Sequence, residues 1–251
     1  MSKIIDKRDI QESLDRAAWL SVHGSPEDKQ GRSGGSVADT AMRLRNEMRI
    51  VTANWAMVEA FNAKFEAFRD DLVVHAAWQA AKFSVRAVAR DTIMTLMRLT
   101  DGSGSKHELQ TFSAIVGAFD GKTPLEIVRA TGATEAGVQY GLAFLRERVP
   151  MRWGKNEDVP SNRELTDIRE TLRPIRDRLI AHAMVHTSID LRRDMPQVRA
   201  FLRITAELSD AVCLVCNVPR DDLQARWDAA FDEATRFWEI VAAGSRNSPK
   251  A

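Results

Sequence analysis

Residues 161–186, SNRELTDIRETLRPIRDRLIAHAMVH, carry the clearest helix signals in the chain. Ser161 and Glu164 form a capping box, in which both side chains accept hydrogen bonds from backbone N–H groups at the helix start. Apolar residues and two histidines then follow at alternating intervals of three and four, a spacing that places them on one face, packed against another helix. The members of this seam are Leu165, Ile168, Leu172, Ile175, Leu179, His182 and His186. Pro174 interrupts it and predicts a kink, because proline removes one backbone hydrogen bond.

The same interval of three to four residues recurs over most of the chain, and no segment alternates cleanly with the period of two typical of strands. We therefore predict an all-α fold, a helical bundle. Residues 37–100 contain few helix breakers but are too long for one globular helix, so we expect a break near Phe61-Asn62 or near Asp70-Asp71. The other predicted helices cover residues 5–20, 106–119, 123–131 (with Thr123 as N-cap and Pro124 in the first turn), 134–148, 161–186, 196–217 and 220–243.

Composition divides the chain into three parts. Residues 1–36 hold the short N-terminal helix and a Gly- and Ser-rich stretch, SVHGSPEDKQGRSGGS, which is typical of a flexible linker. Residues 37–244 form the predicted helical domain. Residues 245–251, SRNSPKA, are predicted to be a disordered tail.

The overall charge narrows the classes of function. The 251 residues include 36 Lys and Arg against 35 Asp and Glu. Such a balance disfavours a protein that coats nucleic acid, although a local basic cleft is enough to bind it. Two cysteines provide no disulfide framework, which favours a reducing cytoplasm. The first residues lack the apolar core of a signal peptide, and no run of 18 or more apolar residues predicts a membrane span.

Residues 176–182, RDRLIAH, place charged groups beside a histidine at the end of the apolar seam. A single histidine in such a seam is most often a core or interface residue with one hydrogen bond. Here Arg176, Asp177 and Arg178 are costly to bury, which favours a cleft. Arg178 shares a helix face with His182, whereas Arg176 lies about 120° away around an ideal helix. Arg176 would reach the same ligand through its long side chain, through the kink, or from a second subunit.

This arrangement resembles a known motif. An arginine followed by a polar residue, with a histidine six positions after the arginine, is similar to the Arg-x4–6-His motif of the HEPN superfamily. Residues 172–182, LRPIRDRLIAH, and residues 89–105, ARDTIMTLMRLTDGSGS, resemble the abortive-infection U-type branch of that superfamily. The resemblance covers roughly residues 45–240. It implies a homodimer of HEPN-like four-helix cores, whose two motif copies form one composite cleft at the interface.

Many members of this superfamily are metal-independent endoribonucleases, and the resemblance assigns roles accordingly. Arg176 would hold the phosphate, His182 would act as general acid and base, and Asp177 would orient these groups. Arg178 is added because it shares a face with His182. The implied substrate is RNA, with tRNA as one candidate, and neither a metal nor a cofactor is required. The implied setting is toxin–antitoxin or phage defence, with an antitoxin protein as a partner.

The chain departs from the family pattern at two positions. Asp177 is acidic where an amide is frequent, which makes the cleft less attractive to phosphate. Met184 stands where one subgroup carries a tyrosine that is modified by its antitoxin. Because some members have lost catalysis, the alternative is a non-catalytic dimeric module that binds RNA, a nucleotide or a protein partner. A third hypothesis is a purely structural dimer.

Further residues are candidate contacts to RNA. The stretch 146–157, RERVPMRWGKNE, contains cations around a tryptophan, and such a surface can bind single-stranded RNA by charge and stacking. The candidates there are Arg148, Arg152, Trp153 and Lys155. The alternative is an ordinary solvated loop. Asp91, on the helix that precedes the Gly- and Ser-rich turn, is a further candidate for the cleft, and its alternative is a surface salt bridge.

Two spacings suggest metal or redox chemistry but lack the required context. His182 and His186 are four residues apart, as zinc ligands on a helix often are, but Ala183 stands where a catalytic glutamate would be. Cys213 and Cys216 form a C-x-x-C pair inside an apolar helical stretch, whereas reactive pairs lie at exposed helix starts. We predict two buried thiols and no metal site.

Overall fold

The computed structural model describes residues 36–73, 76–100, 111–149, 167–174 and 191–246. Within these ranges the regular structure is helical and contains no strand, which confirms the all-α fold. Contacts along the chain define two units, Met1–Ser36 and Val37–Ala251. The second unit contains all the helices described: α1 (Val37–Val73), α2 (Ala76–Leu99), α3 (Phe112–Ala118), α4 (Pro124–Thr131), α5 (Glu135–Arg148), α6 (167–174), α7 (Leu191–Cys216) and α8 (Leu223–Arg246).

Helix α1 is the longest element and packs against α2, α7 and α8. Its buried residues follow the four-three spacing of an amphipathic helix: Leu44, Met48, Val51, Trp55 and Val58. Burial of this apolar face against three neighbouring helices, more than the intrinsic preference of its residues, stabilises so long a helix.

The break in the first helical region occurs at the second of the two predicted places. Helix α1 ends at Val73, and α2 begins at Ala76. The alternative break at Phe61-Asn62 is wrong, because the helix runs through both residues. Phe61 packs its ring against Trp238 of α8, with centroids 4.8 Å apart. Asn62 donates a hydrogen bond to the sulfur of Met195 at 3.1 Å.

The short helices α3 and α4 begin at threonine caps. Thr111 is extended, with φ −127°, and its hydroxyl accepts a hydrogen bond from the Ala114 N–H at 3.2 Å. A single helix over residues 106–119 is therefore wrong. The cap at Thr123 and Pro124 in the first turn are confirmed, and Glu126 completes a capping box there.

The last two helices differ from the sequence-based prediction at their starts. Helix α7 begins at Leu191, five residues before Pro196, which lies inside the helix. Proline there removes only one backbone hydrogen bond, close to the beginning of a long helix. Asn217 ends α7 in a left-handed conformation, with φ 54°. Helix α8 begins at Leu223 and continues two residues into the predicted tail.

None of the helices in the part of the chain that the structure describes has an apolar stretch long enough to cross a bilayer.

Candidate functional site

Most of the predicted site lies beyond the described residues. Arg176, Asp177, Arg178 and His182 fall in the range 175–190, and Arg152, Trp153 and Lys155 fall in the range 150–166. Asp91 and Arg148 are described. The structure therefore shows what holds the chain immediately before the motif and where these two candidates lie.

Helix α6 leads to the motif and is anchored by a buried arginine. Arg169 is 7% exposed, and its Nη1 donates a hydrogen bond to the carbonyl oxygen of Met97 at 3.3 Å and a second to the hydroxyl of Thr100. Thr100 in turn donates to the carbonyl oxygens of Leu96 and Met97, at 3.0 and 3.1 Å. These groups form the C-terminal end of α2, where the helix dipole favours a cation. Arg169 thus adds a charged donor to the Met97 carbonyl oxygen and the Thr100 hydroxyl at the end of this helix.

Apolar contacts support the same anchor. Ile168 and Leu172, four residues apart on α6, are buried. They share one helix face, so the segment is packed along its length rather than held at a single point. Through Arg169, residues 167–174 contact the C-terminal end of the helix that also carries Asp91. Arg169 thereby links α6, whose last residues open the block 172–182, to Thr100, which lies in the block 89–105. Both blocks carry the resemblance to the same family.

Asp91 does not face this anchor. It is exposed on α2, while its neighbours Thr92 and Ile93 are buried. Asp91 and Thr100 are nine residues apart, which places them on opposite sides of an ideal helix at about 100° per residue. Arg98, near the end of the same helix, forms an ion pair with Glu47 of α1 at 2.9 Å. A contribution of Asp91 to a cleft would therefore use the solvent side of α2.

Arg148 is held by its own helix. Its guanidinium carbon lies 3.9 Å from the ring centroid of Phe144, one turn earlier, and Nη1 pairs with Glu147 at 3.2 Å. The cation–π contact restricts the side chain at the end of α5. Arg146 is fixed differently, because it donates to the carbonyl oxygen of Phe119 at 3.4 Å. A role of Arg148 in binding RNA would therefore compete with its pairing to Glu147.

A second charged cluster surrounds Asp221, between α7 and α8. Its side chain is 9% exposed. Arg226 donates two hydrogen bonds to Oδ1, at 3.1 and 3.0 Å, and the Nε atoms of Arg45 and Arg49 lie 3.1 and 3.2 Å from Oδ2. Desolvation acts to raise the pKa of Asp221, but the hydrogen bond from Arg226 and the charges of Arg45, Arg226 and Arg49 together lower it.

This cluster ties α1 to the start of α8 and was not predicted from the sequence. Arg45 and Arg49 are visible as a pair of cations on one helix face, but Asp221 lies far along the chain. Because three guanidinium groups share one carboxylate, the cluster carries a net positive charge. These ion pairs hold α1 and the start of α8 together, which is a structural role.

Glu59 is another buried charge that the sequence did not indicate. It is 4% exposed on α1, accepts a hydrogen bond from Trp55 Nε1 at 2.8 Å, and pairs with Arg199 of α7. The pairing satisfies a carboxylate inside the interface between α1 and α7. Its role is therefore to hold these helices together.

The two cysteines are buried and free, as predicted. Burial raises the pKa of the Cys213 thiol to about 11 and that of Cys216 to about 12, and nearby negative groups add to both shifts. Thiols with raised pKa values are poor nucleophiles at neutral pH. These residues therefore belong to the core and offer no redox site.

The described ranges contain no group of three or more His, Cys, Asp or Glu side chains arranged to hold a metal ion. His182 and His186 lie outside those ranges. Comparison of the chain with models of known protein families, with curated proteins and with solved structures gives no match.

Proposed function

We propose that this protein is a metal-independent endoribonuclease whose site is the Arg-x5-His segment. Arg176 binds the scissile phosphate, His182 transfers protons, Asp177 orients the two, and Arg178 adds a second phosphate contact. The substrate is RNA, with tRNA as one candidate. The setting is toxin–antitoxin or phage defence in the cytoplasm, with an antitoxin protein as the regulator.

The observation that carries this proposal is the anchor at Arg169. The guanidinium group connects α6 to the C-terminal end of α2, and these two places lead into the two sequence blocks that resemble the HEPN superfamily. Met97 and Thr100 belong to the block 89–105, and Arg169 lies three residues before the block 172–182. A chance match to a short motif would not require these two parts of the chain to lie close together, so the anchor supports the family resemblance on which the nuclease assignment rests.

The proposed reaction is a transesterification within the RNA. The 2′-oxygen attacks the adjacent phosphorus while a histidine accepts its proton, and the bond from phosphorus to the 5′-oxygen breaks as that oxygen receives a proton. The products are a 2′,3′-cyclic phosphate and a free 5′-hydroxyl. Arg176 stabilises the additional negative charge of the transition state by two parallel hydrogen bonds. In a homodimer, two copies of His182 would supply the base and the acid.

The test compares wild type with His182→Ala and Arg176→Ala on total tRNA and on an unstructured RNA, with EDTA present. We expect wild type to cleave and to leave 2′,3′-cyclic phosphate ends. Each variant should lose at least about 100-fold in rate, the usual contribution of a general acid–base group. Light scattering should show that the dimer persists in both variants.

His186→Ala is the matched control, because it removes a histidine from the same segment without touching the proposed motif. Its rate should stay close to that of wild type. A loss of activity in His186→Ala together with inhibition by EDTA would instead support a metal site formed by His182 and His186. Cleavage that survives in His182→Ala and Arg176→Ala would contradict the proposal.

A non-catalytic module is the second candidate function. Two observations favour it: the near balance of charge over the whole chain and the acidic Asp177 beside Arg176. Such a protein would bind RNA, a nucleotide or a protein partner through the same surface. If no form of the chain cleaves RNA while wild type binds it and Arg176→Ala does not, this second function replaces the first.

A further inference from the structure

Helices α4 and α5 form a compact pair joined by a very short turn. Helix α4 has eight residues, α5 has fourteen, and only Gly132, Ala133 and Thr134 lie between them. Gly132 has φ 71° and its N–H donates to the Val128 carbonyl oxygen at 2.8 Å, so the left-handed conformation suited to glycine ends α4. Thr134 caps α5 through a hydrogen bond from the Gly137 N–H at 3.1 Å. A short helix, a three-residue turn containing glycine and a second helix are the components of a helix–turn–helix unit.

The inner side of this unit is closed by apolar contacts. Ile127 of α4, Ala133 of the turn, and Val138 and Leu142 of α5 are all buried. Each segment therefore contributes at least one side chain to the buried inner side of the unit, and this packing fixes the relative orientation of the helices.

The same inner side of α5 is pressed closely against α7. A Cβ atom at Gly141 would lie 2.6 Å from Val215 Cγ2 and 2.9 Å from the carbonyl oxygen of Ala211, and one at Gly137 would lie 3.6 Å from the Leu214 carbonyl oxygen. Glycines four residues apart thus let the two backbones approach. Because α7 covers this side, the opposite side of α5 is the one that remains open.

The open side presents one continuous stripe of exposed residues, formed by the end of the turn and the first ten positions of α5. They are Thr134, Glu135, Ala136, Gln139, Tyr140, Ala143 and, one turn further, Arg146. Tyr140, the only tyrosine in the sequence, is 64% exposed, which is high for a large aromatic side chain. Alanines at 136 and 143 flank Gln139 and Tyr140. Among the described residues, the bulky neighbour on this part of the helix is Phe144, whose ring stacks on that of Tyr140 with centroids 6.2 Å apart.

Three exposed cations belong to the same unit. Lys122 precedes α4, Arg129 lies in the last turn of α4, and Arg146 lies in the last turn of α5. Three exposed carboxylates lie in the same range of residues and already accept local hydrogen bonds. Glu126 accepts from the Thr123 N–H at 2.7 Å, Glu135 from the Gln139 amide at 3.1 Å, and Glu147 from Arg148 at 3.2 Å.

We propose that residues 122–148 form a helix–turn–helix unit that binds duplex DNA, with α5 in the major groove. In such units the first half of the second helix contacts base edges while the first helix lies against the sugar–phosphate backbone. Gln139 has the amide that pairs with the major-groove edge of adenine, and Lys122 and Arg129 are placed to contact phosphates. The partner is DNA rather than RNA, because the major groove of B-DNA admits an α-helix and that of A-form RNA is too narrow. The residues proposed to contact DNA lie outside the Arg-x5-His segment in the sequence, and the proposal does not depend on that segment.

The test selects ligands for the full-length protein from a pool of random-sequence DNA duplexes and then measures affinity by fluorescence anisotropy. We expect a common sequence to be enriched and to bind more tightly than its scrambled version. The double variant Gln139→Ala with Tyr140→Ala should weaken binding to the enriched duplex by about tenfold or more and remove the preference over the scrambled duplex. Arg129→Ala should weaken binding to both duplexes alike and lower the slope of log affinity against log salt by about one.

Arg236→Ala, an exposed arginine on α8, is the control and should leave DNA binding unchanged. All altered side chains are exposed, and equal thermal unfolding of the variants will show that the fold is retained. The failure of this proposal is distinguishable from the failure of the ribonuclease: His182→Ala should still bind DNA, and the double variant should still cleave RNA. The proposal is overturned if no sequence is enriched, if the double variant binds as well as wild type, or if duplex RNA competes as well as DNA.

Discussion

At the scale of single residues, Asp221 is a nearly buried carboxylate that forms ion pairs with three arginines. Its carboxylate is nearly inaccessible and faces three guanidinium groups from two helices. Burial of a carboxylate is unfavourable unless it is paired, and removing one member of a buried pair leaves the others uncompensated. The stability of the link between α1 and α8 should therefore depend on this one side chain.

Asp221→Asn should lower the free energy of unfolding at neutral pH by about 2 kcal/mol, since Arg45, Arg49 and Arg226 lose their common counter-charge. Urea denaturation followed by circular dichroism measures the change. Asp228→Asn is the matched control: Asp228 is exposed, accepts only a hydrogen bond from Gln224 among its described contacts, and should change stability by less than about 0.5 kcal/mol. An equal effect of the two substitutions would show that the cluster does not stabilise the fold.

The difference between wild type and Asp221→Asn should also depend on pH. Because the pKa of Asp221 is lower in the folded chain than in the unfolded chain, its contribution is fully present above the ordinary aspartate pKa of about 3.9. The contribution is lost as the pH falls through the lowered value. The stability difference should therefore stay constant from pH 7 to pH 5 and shrink below about pH 4.

Residue-scale features were predictable from the sequence only where the determining groups are close along the chain. The cap at Thr123 and the burial of Cys213 and Cys216 follow from neighbours within a few positions. The Asp221 cluster and the Glu59–Arg199 pair join residues on different helices, so no local spacing indicates them. Sequence periodicity states which face of a helix is buried but not which charges it meets there.

At the scale of secondary-structure elements, the contact between α6 and α2 positions the chain that leads to the motif. Arg169 reaches the C-terminal carbonyl groups of α2 from a buried position. Hydrogen bonds from a charged donor in such an environment contribute more than those between neutral groups. If the guanidinium group is removed while the apolar stem is kept, α6 should therefore be held less firmly against α2.

Arg169→Met is the substitution that makes this change. We expect a loss of about 2 kcal/mol in the free energy of unfolding, because the Met97 carbonyl and the Thr100 hydroxyl lose a charged partner. Arg173→Met is the control on the same helix, since Arg173 is exposed and pairs with Glu170 at 3.5 Å, and its effect should be under about 0.5 kcal/mol. If the proposed function holds, RNA cleavage should also fall in Arg169→Met and not in Arg173→Met. Equal stability of the two variants would contradict an anchoring role.

The elements themselves were largely predictable, and their ends were not. Apolar spacing predicted α1, α4, α5 and the helix that contains Cys213. The predicted start at residue 196 is wrong, because the helix begins at Leu191 and contains Pro196. The relation between α4 and α5 was also missed, although Gly132 followed by a threonine cap was a usable signal for a helix–turn–helix unit.

At the scale of the whole molecule, the near-neutral charge restricts how nucleic acid is bound. Many cations in the described ranges are already paired with carboxylates on neighbouring turns or helices: Arg98 with Glu47, Arg203 with Glu207, Arg173 with Glu170, and Lys64 with Glu239. These pairs reduce the positive charge that the described ranges offer to polyanions in general. Recognition must instead come from small groups of residues, as both the proposed motif and the proposed helix–turn–helix unit require.

The proposed composite cleft makes a prediction about the assembled dimer. If two motif copies act on one phosphate, Arg176 from one protomer can work with His182 from the other. A mixed dimer of the His182→Ala chain with the Arg176→Ala chain retains one intact residue of each kind. It should cleave RNA about tenfold or more faster than either variant homodimer, since each homodimer has lost both copies of a group worth at least about 100-fold. Co-expression with two different affinity tags and successive purification on each tag isolates the mixed dimer. A mixed dimer as inactive as the two homodimers would show that one Arg176 and one His182 from different chains do not suffice for cleavage, which would contradict this prediction of the composite cleft.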